Sequence, residues 1–149
     1  MIDIIIKGYR SMFNRRHVMK KNLKEAVESK NEQRLMQCID YRRSDSFDND
    51  CYEYIEKALV GTWHSRHEDL VDTIYLERLT DDRFVDPILN IALNQEQFRW
   101  YDDELEATLR KCVHALKTIN TEKSNQALKQ LEDLNNDNVK YALEMWGAK

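Results

Sequence analysis

Glycine and proline are nearly missing from this chain, at three and one in 149 residues. A fold built from many short strands uses both residues in its tight turns, so their scarcity argues against an all-β protein and for helices. Cysteine is also sparse. Cys38, Cys51 and Cys112 make an odd count with no C-x-x-C pair, which suggests neither a disulfide framework nor a zinc knuckle. Each lies among apolar helical positions and is expected to be a core thiol. No stretch approaches the ~20 apolar residues of a membrane span. The opening Met1-Ile2-Asp3-Ile4-Ile5-Ile6-Lys7 puts an acid where a secretory leader needs a base, and its apolar run is too short. The expectation is a cytoplasmic protein. Catalytic signatures are missing as well. There is no glycine-rich phosphate loop, no G-x-S-x-G and no H-E-x-x-H. Cys112 and His114 stand two residues apart on one expected helix, point in different directions and form no dyad. The chain therefore reads as a non-enzyme with no catalytic residue, no cofactor and no metal.

What is present is an internal repeat. Leu76–Ile91 and Leu116–Leu131 carry one apolar pattern forty positions apart: Leu76 matches Leu116, Leu79 matches Ile119, Ile88 matches Leu128 and Ile91 matches Leu131. Each stretch reads as the end of one helix, a short polar turn and the start of another. A helix pair recurring at ~40–47 residues is the signature of HEAT or armadillo stacking. Such pairs bury one face only by stacking on neighbours, and the stack offers a curved binding surface. The predicted architecture is an all-α solenoid of about eight helices in antiparallel pairs, one domain over 1–149, with repeats clearest in 63–146.

Along the chain, 2–13 places Ile2, Ile5, Ile6, Tyr9, Met12 and Phe13 on one helical face, with a strand at Ile2–Lys7 as the alternative. Met19, Leu23, Ala26 and Val27 predict a helix over 17–28. Asn31 is a candidate N-cap for a second helix holding Leu35, Met36 and Ile39. After a polar connection at Tyr41–Asn49, one of Asp48, Asn49 and Asp50 caps a helix with Cys51, Tyr54, Ile55, Ala58 and Leu59 at i, i+3, i+4, i+7, i+8. Further helices are predicted over 66–79, from about Pro87 to Asn94, over 103–119, over 122–134 with Thr121 as cap, and over Val139–Trp146. Residues 95–102 are the longest expected loop.

Charge is unevenly placed. Residues 1–43 carry a balance of +6 and residues 44–149 a balance of −10, within a total of −4. The acidic part should repel nucleic acid and attract a basic partner.

Residues Trp63-His64-Ser65-Arg66-His67-Glu68-Asp69, Leu79-Thr80-Asp81-Asp82-Arg83, Tyr101-Asp102-Asp103, Lys111-Cys112-Val113-His114-Ala115-Leu116 and Ile119-Asn120-Thr121-Glu122 give the region from Trp63 to Trp146 a resemblance to bacterial HEAT-repeat proteins. The family's last turn reads Leu-Gly-x-Ile-Gly-Thr, and here Lys117 and Asn120 replace the glycines. Small acidic proteins of this kind are similar to immunity proteins of polymorphic toxin systems, including contact-dependent growth inhibition. The resemblance implies a protein that blocks one toxin domain by occlusion. Many such toxins are nucleases, which are basic because they hold phosphates.

Four segments are candidate sites. Phe98–Glu104 places Phe98, Trp100 and Tyr101 beside Asp102, Asp103 and Glu104. Aromatic anchors and steering acids belong in a docking surface for a basic protein, with Trp100 expected inward and Tyr101 and the acids outward. Asp45, Asp48, Asp50, Glu53 and Glu56 extend the acidic character, as a second binding segment or as caps on a solvated face. His64-x-x-His67 has chelating spacing, but without a further ligand at supporting spacing it reads as polar packing. Arg15, Arg16, Lys20, Lys21 and Lys24 suit phosphate contact, against the simpler reading of a solvated basic face. The expected partner is a protein, with no nucleic acid, no membrane and no assigned oligomeric state. The rival readings are a general HEAT-type interaction scaffold and a HEAT-like nucleic-acid enzyme.

Overall fold

The computed structural model describes residues 18–40 and 47–147. The expected helix or strand at 2–13, together with Arg15, Arg16 and Asp45, lies outside them. The regular structure of the described residues is all helical, with no strand among them.

Helix α1 spans 18–28 and buries Leu23, Ala26 and Val27. With no glycine available, the chain turns on Lys30, whose φ is 52°. Backbone bonds from Lys30 N to Val27 O (3.2 Å) and Asn31 N to Ala26 O (2.9 Å) close a Schellman cap. Asn31 then accepts from Arg34 N at 3.0 Å and opens α2, Glu32–Ile39, as its amide side chain predicts.

Of the three candidate caps at 48–50, Asp48 takes the position, opening a 3-10 turn at Asn49–Cys51 that continues into α3, Tyr52–Val60. The predicted stripe of Cys51, Tyr54, Ile55, Ala58 and Leu59 is buried in full. Helix α4, His67–Leu76, stops three residues short of the expected end. Arg78 enters the left-handed region at φ 55°, and Arg78 N and Leu79 N bond back to Tyr75 O and Ile74 O. A turn at Asp82–Phe84 leads into α5, Val85–Leu93, with Pro87 in its first turn where its missing N–H does no harm.

The expected loop at 95–102 begins instead as a short helix, α6, Gln95–Phe98. The irregular segment is 99–106, and α7, Ala107–Ile119, starts four residues later than its apolar pattern suggests. Leu105, expected on its buried face, is 60% exposed in the loop. Helix α8, Glu122–Glu132, opens on the predicted Thr121, which forms a capping box with Ser124. Helix α9, Asp137–Gly147, completes the described chain.

Helix α7 sits at the centre and packs against α4, α5, α8 and α9, while α5 also packs on α8 and α3 packs on α4 and α5. Helices forty residues apart thus lie side by side, α4 on α7 and α5 on α8. Three repeat-matched pairs, Leu79/Ile119, Ile88/Leu128 and Ile91/Leu131, are buried on both members. The fourth departs from the pattern. Leu116 is fully buried while Leu76, in the last turn of α4, is 56% exposed on the rim of an open cleft. No helix among the described residues is long and apolar enough to cross a membrane.

Candidate functional site

The loop 99–106 is built on a buried arginine. Arg99 is 4% exposed. Its Nε and Nη2 both donate to Ala92 O at the end of α5 (3.2 and 3.0 Å). Nη1 donates to Asp102 Oδ2 at 3.1 Å and Glu106 Oε1 at 3.3 Å. A planar fork meets a carbonyl on one side and carboxylates on the other, a geometry a lysine ammonium cannot reproduce. The other Asp102 oxygen accepts from the Thr108 backbone N–H (3.3 Å) and hydroxyl (2.8 Å), so this carboxylate serves the free amides of the first turn of α7.

Glu106 extends the network towards α9. Its backbone is left-handed at φ 42°, and its carboxylate accepts from Asn136 Nδ2 (2.8 Å) and Asn138 Nδ2 (3.1 Å). Burial raises the pKa of this carboxyl, but the hydrogen bonds from Asn136, Asn138 and Arg99 outweigh it and leave the pKa lowered. Asn138 also donates to Glu104 O (3.0 Å) and accepts from Arg110 Nε (2.8 Å).

This base decides which predicted residues face outward. Trp100 is 70% exposed, meeting Tyr101 edge-on at 5.8 Å. Tyr101 is half-buried beside Thr108, and burial raises the pKa of its phenol. The expected orientation of the pair is therefore reversed: Trp100 points out and Tyr101 packs in. Asp102 is also not a surface acid. Its side chain is 1% exposed against Arg99, because a buried guanidinium requires a paired charge. Phe98 is 2% exposed, with its ring on His67 at 4.8 Å, and offers no surface to a partner. The outward group is Trp100, Asp103, Glu104 and the unpredicted Leu105. Asp103 Oδ1 accepts from Leu105 N at 2.9 Å and shapes the tip.

The second acidic segment engages its own helix. Asp48 accepts from Asp50 N, and Glu53 pairs with Lys57 at 3.0 Å, an i, i+4 bridge whose hydrogen bond lowers the Glu53 pKa. Asp50 is exposed. Among the described residues, no hydrogen bond or ion pair links this segment to the 99–106 loop.

His64 and His67 stack at 4.3 Å and 22° and close the end of α3. His64 Nε2 donates to Ala58 O and His67 Nε2 to Gly61 O, both at 2.7 Å, while His64 Nδ1 accepts from Arg66 N. Burial lowers both pKa values, that of His67 to about 4. Both rings are committed to backbone, as the polar-packing reading expects. Arg66 joins them to α2 through Glu32 at 3.2 Å. The three thiols are buried, and burial lifts Cys51 to about 11 and Cys112 to about 12. In the basic segment, Lys20 is half-buried and Lys21 and Lys24 are exposed on α1.

Arg99 and Glu106, the residues that hold the loop, were not among the sequence candidates. The available signal was a lone arginine inside Phe98-Arg99-Trp100-Tyr101-Asp102-Asp103, where a surface position is hard to reconcile with so many aromatic neighbours. No model of a known protein family matches this chain, and neither a curated protein nor a solved structure matches it.

Proposed function

We propose that this chain is an immunity-type binding protein of HEAT-like architecture, which occludes a basic toxin domain through the tip of the 99–106 loop. The side-by-side packing of α4 on α7 and α5 on α8 supports the stacked-pair architecture. The single observation that carries the functional reading is Trp100, an indole left 70% exposed on a loop whose base is a buried, fully engaged ion pair. An exposed aromatic on a pre-ordered loop loses little conformational entropy on binding, and tryptophan is enriched among interface hot spots. Covering ~150 Å² of it would contribute on the order of 3–4 kcal/mol before association costs. Asp103 and Glu104 beside it supply the steering charge for a basic surface.

The test is co-purification from the native strain, followed by identification of the protein that elutes at a one-to-one ratio. A basic toxin domain is the expected result, together with a gene for a large secreted effector next to this one. Trp100→Ala should weaken that complex at least ~10-fold, with helix content unchanged. Full affinity in the Trp100→Ala variant overturns the loop assignment, and a neutral or acidic partner overturns the toxin reading.

A further inference from the structure

The last turns of α4 and α7, with Trp146 of α9, enclose an open cleft of about 650 Å³ lined by Tyr75, Leu76, Arg78, Lys117, Asn120 and Trp146. That volume falls in the range of small-molecule sites, ~300–1,000 Å³. Two aromatic rings are held at a set angle within it. The Trp146 indole N–H donates to His114 Nδ1 at 2.9 Å. The His114 ring lies against Tyr75 at 5.3 Å, and the Tyr75 and Trp146 rings are 6.4 Å apart at 72°.

The charge of the cleft runs against that of its surroundings. Between residues 57 and 123, Lys57, Arg66, Arg83, Arg99, Lys111 and Lys123 each have a carboxylate within 4.0 Å. Arg110 bonds Asn138 and lies over the Tyr141 ring. The two cations left in that span, Arg78 and Lys117, have no acid partner among the described residues. Beyond that span, towards the C-terminus, Lys129 and Lys140 are also without one; of these four unpaired cations, Arg78 and Lys117 line this one cleft. They do so in a part of the chain with a balance of −10. Cations also complement helix C-termini, so helix-end stabilisation is the competing role. Backbone caps already serve several of those carbonyls, however: Glu77 N bonds Thr73 O, Leu79 N bonds Ile74 O and Asn120 N bonds Leu116 O.

We propose that this cleft binds a nucleoside phosphate, with the base stacked on one of the Trp146 and Tyr75 rings and edge-on to the other, and the phosphate on Arg78 and Lys117. Guanidinium and ammonium groups are the protein's phosphate ligands, and every base offers a π-face for stacking. Thr80 and Asn120 also line the cleft and bring hydroxyl and amide groups for the sugar and phosphate.

The test titrates the full chain with AMP, adenosine and inorganic phosphate separately, by calorimetry and tryptophan fluorescence. AMP should saturate in the sub-millimolar range, with adenosine and phosphate each at least ~10-fold weaker. Arg78→Gln/Lys117→Gln, and Lys117→Gln alone should the pair disturb folding, should weaken AMP by at least ~10-fold with an unchanged thermal midpoint. Three results overturn the proposal: no saturable AMP binding, phosphate alone binding as well as AMP, or a lowered midpoint with AMP affinity intact, which assigns the cations to the helix ends. None depends on the toxin partner.

Discussion

Asp102 and Asp103 are neighbours of one chemical type with opposite roles. Asp102 sits against Arg99 with its side chain 1% exposed, so Asp102→Ala leaves a buried guanidinium short of a partner. Breaking such a pair costs about 3–5 kcal/mol, and a lowered midpoint by circular dichroism is the expected result. Asp103→Lys, at an exposed tip, should leave the midpoint within about 0.5 kcal/mol of the parent. The helix ends make a second comparison. Lys30 and Asn120 adopt φ 52°, a conformation that costs a residue with a Cβ about 1–2 kcal/mol, less for asparagine. Lys30→Gly should therefore stabilise by about 0.5–1 kcal/mol and Asn120→Gly by less, as denaturant midpoints will show. Asn120 supplies the left-handed residue that the turn after α7 needs. The sequence identified the caps Asn31 and Thr121 because each acts on an amide two or three residues away. Asp102 was misread because its partners are fixed by tertiary burial, which a run of acidic letters does not record.

At the scale of elements, the end of α3 depends on two neutral imidazoles. Folded His64 and His67 have lowered pKa values, that of His67 about 4, whereas unfolded histidine titrates near ~6.5. Between those values the unfolded chain binds protons that the folded chain refuses, so stability falls as pH falls through the window. The expected loss from His67 is on the order of 2–3 kcal/mol by pH 4. His67→Gln keeps an N–H donor for Gly61 O and removes the titration, so its midpoint should vary less between pH 7 and 5. Glu106 has the opposite sense: burial raises its carboxyl pKa, the bonds from Asn136, Asn138 and Arg99 outweigh this and lower it, and the stability this gives is lost as pH falls through the lowered folded value. Gly61 faces the same structure, for a Cβ there would lie 2.5 Å from Trp63 Nε1. Helix existence was readable from apolar spacing, and the α3 stripe is buried as drawn. Helix ends were less readable. Arg78 and Glu106 take left-handed backbones that their residue types do not advertise, so α4 ends early and α7 begins late.

For the whole molecule, the forty-residue echo in the sequence corresponds to helices that pack on one another, α4 with α7 and α5 with α8. The echo fails at Leu76, where a cleft opens in place of a packed seam. The two surfaces proposed to bind are opposite in sign, acidic at Asp103 and Glu104 and basic at Arg78 and Lys117. Partner association should therefore slow with added salt, and Asp103→Lys/Glu104→Lys should reduce both the rate and its salt dependence, measured by stopped flow. Glu106 has one further consequence. It joins α5, through Arg99, to Asn136 before α9 and Asn138 in its first turn, which ties the base of the 99–106 loop to the surrounding helices. The amides at that base, above all Thr108 N–H on Asp102, should exchange with deuterium on the timescale of the surrounding helices, and a protease should find no cut site there until the whole assembly gives way.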